Sequence, residues 1–179
     1  MGYSMKRHLK TILTVAAILL IGLWILDKIP FHKEMNQEIP AYLYENGVAV
    51  GELTVSIEGE KSRYLLTQPN DFYGKFEIPL MEETGRDDLE ALIKWSKKDN
   101  VQRLHYFQSG MVFLSEEEVG IVNYLLINEA MTEFAILLTD GRVIATSDAL
   151  YALCAAHISY DSDTGSTHVT AVNEIPKLD

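Results

Sequence analysis

Apolar and polar side chains alternate along several short stretches of this chain from Ala41 onward. In residues 53–58 every second residue is Leu, Val or Ile, and residues 76–80 repeat the pattern. Because successive side chains of a strand point to opposite faces, this period of two predicts strands with one buried face. Asp140 and Gly141 lie between two β-rich runs, so they predict a hairpin with a two-residue type I′ turn.

Two further segments fit either a strand or a helix. Residues 87–107 contain apolar residues at both spacings, and the neighbouring strands favour a strand there. Residues 115–126 open with Ser115 and Glu118, the pair that forms a capping box at the start of a helix. The apolar residues that follow Glu118 equally fit a strand, so both alternatives stay open for this segment.

One segment predicts a helix more clearly. Residues 147–158 are rich in alanine and begin with Ser147 and Asp148, either of which is a preferred N-cap. A helix among mainly antiparallel strands predicts the α+β class, with at least one helix packed on the sheet. We place this domain over residues 41–179.

A long apolar run precedes the predicted domain. Residues 11–26, TILTVAAILLIGLWIL, contain no charged residue and no proline. A helix of 16 residues rises about 24 Å, and extension to Ile29 brings it to the length of a hydrocarbon core of about 30 Å. No small-residue cleavage site follows the run, so the sequence predicts an uncleaved transmembrane signal anchor over residues 11–29. A cleaved signal peptide and a buried core helix are the alternatives.

The flanks of the apolar run predict its orientation. Lys6, Arg7 and Lys10 precede it without any acidic residue, so the positive-inside rule places a basic tail, residues 1–10, in the cytoplasm. Residues 30–40 begin and end with proline and predict a stalk. The chain is thus expected to be a single-pass protein of the cell membrane with its domain outside. A single cysteine and no N-glycosylation sequon favour a bacterial source.

The charge of the chain limits the classes of partner that we expect it to bind. The formal net charge is −11, and all 26 acidic residues follow the apolar run. Such a body repels phosphate backbones, so no nucleic-acid partner is expected. The predicted partners are the membrane, through the N-terminal helix, and another protein of the cell envelope.

Residues 163–166, Asp-Thr-Gly-Ser, resemble the catalytic signature of the aspartic proteases. In that family two such aspartates share one proton, so that one acts as acid and the other as base. Here the signature occurs once, a polar segment precedes it, and only 13 residues follow it. The sequence therefore favours a polar turn before a last strand. The same stretch does not fit a calcium loop, because position 172 is valine where that loop has glutamate.

A cluster of reactive residue types lies near the end of the chain. Cys154 and His157 are three residues apart on the predicted helix, hence on one face. With Asp161, Asp163 and His168 they are candidates for a metal site or a thiolate–imidazole pair. Structural roles are favoured, because a cysteine among apolar residues is usually buried and a histidine suits a helix C-terminus.

No set of these residues assembles a complete catalytic motif, so we assign no catalytic residue and expect no cofactor. The sequence favours a non-enzymatic binding or accessory module for another envelope protein. The alternative is an extracytoplasmic hydrolase or cation-sensing domain that uses the C-terminal Cys/His/Asp cluster.

Overall fold

The structure, a computed structural model, describes residues 2–96, 100–108, 110, 112–170 and 178, with side chains from residue 10 onward. Its helices and strands alternate irregularly along the chain. The helices are α1 (Gly2–Leu26), α2 (Glu116–Val119) and α3 (Asp148–His157). The strands are β1 (Phe31–Glu45), β2 (Val48–Arg63), β3 (Asp71–Glu77), β4 (Leu89–Lys94), β5 (Gln102–Gln108), β6 (Val112–Phe113), β7 (Ile121–Ile127), β8 (Phe134–Leu138), β9 (Val143–Ala145), β10 (Ile158–Asp161) and β11 (Ser166–Val169).

Eight strands form one sheet that closes on itself. The order is β4-β3-β2-β1-β9-β8-β7-β5, and β5 pairs again with β4. β6 adds to β5 beside the closed sheet, and β10 and β11 form a separate hairpin. The predicted α+β class is therefore wrong, because the fold is mainly a closed sheet. Alternation along a strand indicates which face is buried, but it does not indicate that distant strands such as β1 and β9 are neighbours.

Apolar side chains fill the inside of the closed sheet. Eight strands leave an interior just wide enough for side chains to fill. Each fully buried Val, Leu, Ile or Phe contributes about 1.5–3 kcal/mol to folding. The largest fully buried side chains of this interior core are Ile57, Phe72, Phe76, Ile78, Leu89, Ile93, Leu104, Leu125, Met131, Phe134 and Ile136.

A second apolar core lies on the outer face of the sheet, under α3. Leu150 and Cys154 of α3 pack there with Val122 of β7 and Leu137 of β8. Every residue of β8 is buried, because one face of the strand lines the interior and the other faces α3. This double burial explains why the β8 sequence is apolar throughout instead of alternating.

Local sequence signals predict several element boundaries. Ser147 caps α3, since its side chain accepts a hydrogen bond from Leu150 N. Ser115 and Glu118 form the capping box of α2, and β7 follows directly. Residues 89–94 form strand β4, as the neighbouring strands led us to expect.

Two hairpins of the sheet have short turns of different kinds. Asn46 and Gly47 both have positive φ, of 50° and 86°, and form a two-residue type I′ turn between β1 and β2. The type I′ turn predicted at Asp140 and Gly141 is wrong, because of these two residues only Gly141 has positive φ. Residues 138–142 instead form a longer turn, closed by hydrogen bonds from Leu138 N to Arg142 O and from Gly141 N to Leu138 O.

Helix α1 contains the apolar run, but the predicted membrane anchor is not supported. Among the residues that the structure describes, no helix is both long and apolar enough to cross a membrane. The transmembrane signal anchor predicted over residues 11–29 is therefore wrong. The predicted single-pass location in the cell membrane, with a cytoplasmic N-terminus, was inferred from that anchor and is wrong with it.

The predicted stalk, residues 30–40, lies almost entirely within β1. Met35 and Ile39 are buried in the interior core, and the residues between them are more exposed. The prolines that suggested a stalk lie at the entry to the strand and inside it. The closed sheet thus begins ten residues earlier than Ala41, the predicted start of the domain.

Asp27 joins the end of α1 to the closed sheet. It is buried, and one carboxylate oxygen accepts hydrogen bonds of 2.7 Å from Leu66 N and from Thr67 N. The Thr67 hydroxyl donates to the other oxygen. These bonds, the hydroxyl bond first, hold the pKa of Asp27 below its usual value. The loop after β2 is therefore tied to the residue that follows α1.

Lys61 carries a charge buried in the same region. Its side chain points to the inside of the sheet and is 4% exposed. The Nζ donates to Glu129 Oε2 at 2.7 Å and lies 4.0 Å from the ring centroid of Trp95. Burial lowers the pKa of Lys61, and the bond to Glu129 opposes that shift. Pairing with a carboxylate and an aromatic face makes this burial tolerable.

Two glycines let β2 and β3 approach closely. Gly59 and Gly74 are direct partners in the β2–β3 pairing. A Cβ at Gly59 would lie 2.3 Å from Tyr73 O, and one at Gly74 would lie 2.3 Å from Glu58 O. Both obstacles are backbone atoms, so they cannot move aside as a flexible side chain can.

We predict that Gly59→Ala destabilises the protein by roughly 3 kcal/mol or more, because the strands must separate to admit the methyl group. Chemical denaturation followed by circular dichroism measures the change. Gly51→Ala on the same strand is the matched control, since no atom lies within 4 Å of its Cβ position. Equal stability of the two variants would contradict the prediction.

Candidate functional site

The closed sheet has a short seam between β5 and β7. These strands are in register at only two residue pairs, Gln102 with Leu125 and Arg103 with Tyr124. Farther along, Phe107 of β5 pairs with β6 instead. The seam therefore leaves part of the β7 edge without a neighbouring strand from β5.

Glu116, the first residue of α2, occupies this gap. Its Oε1 accepts a hydrogen bond from Asn123 N of β7 at 2.6 Å. Its Oε2 accepts one from the Thr167 hydroxyl of β11 at 2.8 Å. The carboxylate thus takes the place of a strand carbonyl for β7, and it also fastens the β10–β11 hairpin over the seam.

A groove, here called the seam groove, runs between the seam and this hairpin. It consists of two cavities of about 540 and 460 Å³, and Arg103 and Tyr124 line both. Both cavities are open to solvent. The first is also lined by His105, Glu116, Glu117 and Tyr160, and the second by Lys94, Trp95 and Val169.

The seam groove has a basic end and an acidic end. Lys94 and Arg103 are direct partners across β4 and β5, and both are exposed. Within the described residues, neither forms an ion pair with a carboxylate. Arg103 lies over the ring of Tyr124, with its Cζ 5.7 Å from the ring centroid. Glu116 and Glu117 line the opposite end.

His105 lies between these two ends. Its ring is half-buried and packs edge-on against Phe113, with the ring centroids 5.8 Å apart. Burial lowers the pKa of His105, and the charges of Arg103 and Lys94 lower it further. Both effects favour the neutral form of the imidazole.

The structure separates the reactive residues predicted near the C-terminus. Cys154 is fully buried in the outer core, and burial raises the pKa of its thiol to about 12. His157, at the end of α3, has its Nδ1 3.2 Å from Thr170 O. Cys154 thus packs in the outer core, whereas His157 contacts the backbone of Thr170. Neither residue lines the seam groove.

The remaining members of the predicted cluster lie on the β10–β11 hairpin. Asp161 Oδ1 accepts hydrogen bonds from Asp163 N at 2.9 Å and from Thr164 N at 3.4 Å, so it stabilises the turn. Asp163 and His168 are exposed. The described part of the chain contains no group of three or more His, Cys, Asp or Glu side chains able to hold a metal ion. A cation site at these residues stays a prediction.

The Asp-Thr-Gly-Ser sequence, residues 163–166, lies at the turn of the same hairpin. Gly165 has a φ of 62°, which suits the left-handed position of a turn. A position in a turn accounts for these four residue types without any catalytic role.

Sequence reasoning missed the residues that build the seam groove. Lys94 and Arg103 fall in the segment for which a strand was favoured over a helix, and Glu116 belongs to an acidic run that resembles a solvated surface. One signal was present: Arg103 and His105 are two apart, so a strand places both on one face. The alternation of side chains along β4 or β5 does not reveal that the two strands pair and that Lys94 lies beside Arg103.

We predict that Cys154 does not react with a thiol reagent such as dithionitrobenzoate while the protein is folded. Its thiol is buried and protonated at pH 8, and the thiolate is the reactive form. One equivalent should react after addition of denaturant. Rapid stoichiometric reaction of the native protein would contradict this placement of Cys154.

We predict that Arg103→Gln raises the pKa of His105, because removal of a nearby cation makes protonation of the imidazole less costly. An NMR pH titration of the ring protons measures the shift. Arg142→Gln is the control, since Arg142 lies at the β8–β9 turn and lines neither cavity. An unchanged or lower His105 pKa in Arg103→Gln would show that the arginine does not act on this ring.

Comparison with known proteins returned no relative. No family model, no curated protein and no solved structure matches this chain. The function of the protein therefore has to be inferred from the geometry and charge of the seam groove.

Proposed function

We propose that this protein is a non-enzymatic binding module whose site is the seam groove. The observation that carries the proposal is the pair of open cavities that meet at Arg103 and Tyr124. The inside of the closed sheet is filled with apolar side chains. A ligand is therefore expected to bind on the outside, between the sheet and the β10–β11 hairpin.

Ser115 and Glu116 of the groove form hydrogen bonds that stabilise the fold, and they do not form a catalytic pair. Ser115 is engaged in the capping box of α2, where its hydroxyl oxygen accepts from Glu118 N at 3.3 Å. Both oxygens of Glu116 accept hydrogen bonds from the protein itself. Among the described contacts, His105 has no hydrogen bond to either residue. A nucleophile needs a base within hydrogen-bonding distance, and this arrangement does not supply one.

The shape and composition of the groove favour a protein partner. Sites for small ligands usually enclose most of the ligand surface, whereas both cavities here are open. Tyrosine and arginine are enriched at the centres of protein interfaces. Arg103 and Tyr124 line both cavities of the groove, and Tyr160 lines the first. An extended segment of another protein therefore suits it better than a compact metabolite.

Site-specific photocrosslinking tests this function in the cells that produce the protein. We expect benzoylphenylalanine at Tyr124 and at Tyr160 to capture the same partner protein, because both residues line the groove. Tyr42, which is exposed on β1 and lines neither cavity, is the matched control position. Mass spectrometry identifies the captured protein, and binding of the purified partner confirms the contact.

Two results would overturn the proposal. One is capture of the same proteins from Tyr42 as from the groove positions, which would indicate nonspecific contact. The other is a lack of any shared partner for Tyr124 and Tyr160 while the full-length protein is folded and abundant.

A further inference from the structure

We propose that the seam groove binds an acidic segment of its protein partner, with the carboxylates held by Lys94 and Arg103. This inference rests on the proposed binding function and adds the chemical class of the ligand. Its basis is a pair of adjacent cations that the protein leaves without carboxylate partners in the described structure.

The position of these two cations is unfavourable in the free protein. Side chains directly opposite each other in an antiparallel pair have Cβ atoms about 5 Å apart, and like charges there repel. Lys94 and Arg103 occupy such opposite positions. The chain has 26 acidic residues and a net charge of −11, yet every ion pair among the described residues lies elsewhere. A carboxylate placed between the two cations would relieve this repulsion.

The Arg103 side chain is oriented for such a ligand. Its guanidinium stands over the ring of Tyr124, 5.7 Å from Cζ to the ring centroid, which restricts its motion. The donors of an arginine form a planar fork that matches the two oxygens of a carboxylate. Lys94 adds a second charge on a longer and more flexible stem. The two side chains together can hold one or two carboxylates at the basic end.

The charges around this pair also limit the ligand. Glu116 and Glu117 line the far end of the groove and repel a long polyanion. The negative net charge of the chain also repels the phosphate backbone of nucleic acid. The groove therefore fits an acidic segment of a few residues over Lys94 and Arg103.

Fluorescence anisotropy with two labelled peptides tests the ligand class on the full-length protein. The probes are an acetylated hexaglutamate and a hexaglutamine of the same length with the same label. We expect saturable binding of hexaglutamate, weakened by added salt, and at least about tenfold weaker binding of hexaglutamine. A Lys94→Gln/Arg103→Gln variant should lose about tenfold or more in affinity for hexaglutamate.

A matched variant separates the site from the overall charge. Lys33→Gln/Arg142→Gln removes the same number of cations at positions that line neither cavity. We expect it to bind hexaglutamate within about twofold of the unmodified protein. An equal loss in both double variants would mean that net charge alone governs binding, and would overturn the inference.

The remaining outcomes distinguish this inference from the proposed function. Equal binding of the two peptides, or no binding of either, would overturn the acidic ligand class. Capture of a shared partner from Tyr124 and Tyr160 would then still support the groove as a binding site. Failure of that photocrosslinking together with specific hexaglutamate binding would instead overturn the proposed function in cells and leave only an anion-binding surface.

Discussion

Closure of the eight-stranded sheet is the constraint on which the rest of the structure depends. Once β5 pairs with both β4 and β7, the interior has room only for side chains, and apolar residues from every strand fill it. Within this sheet β2 and β3 approach closely at Gly59 and Gly74, where a side chain would collide with backbone. Lys61 and Trp95 belong to the same inward face, and Glu129 pairs with the buried charge of Lys61.

The candidate site is a consequence of how this sheet closes. The seam between β5 and β7 is short, so α2 and the carboxylate of Glu116 complete the β7 edge. The same carboxylate holds the β10–β11 hairpin through Thr167, and this leaves an open groove beside the seam. Closure also places Lys94 next to Arg103. Their shared position gives the groove its basic end, which in turn suggests the kind of partner that it binds.

The C-terminal residues that the sequence suggested for a metal or catalytic site have structural roles in the fold. Cys154 is part of the apolar contact between α3 and the sheet, where burial raises the pKa of its thiol. Asp161 forms a turn by accepting backbone hydrogen bonds. Cysteine and aspartate are common in catalytic and metal sites, but they are equally suited to cores and turns. Only their neighbours in space distinguish these roles.

The sequence by itself determined the local structure of this protein wherever the signal spans a few residues. The alternation in residues 53–58, the N-cap Ser147 and the capping box of Ser115 and Glu118 each act through neighbouring backbone, so they can be recognised in isolation. The apolar run of residues 11–26 likewise predicts helix α1, although not the membrane anchor that we inferred from it.

Tertiary structure alone decided the closed sheet, the inclusion of residues 31–40 in β1, and the seam groove. Each of these depends on pairing between strands that are distant in sequence, such as β1 with β9 and β5 with β7. Strand pairing is made by backbone groups that every residue carries, so side-chain patterns along one strand leave its partner unspecified. Lys94 and Arg103 became a candidate site only because the β4–β5 register set them side by side on the outside of the closed sheet.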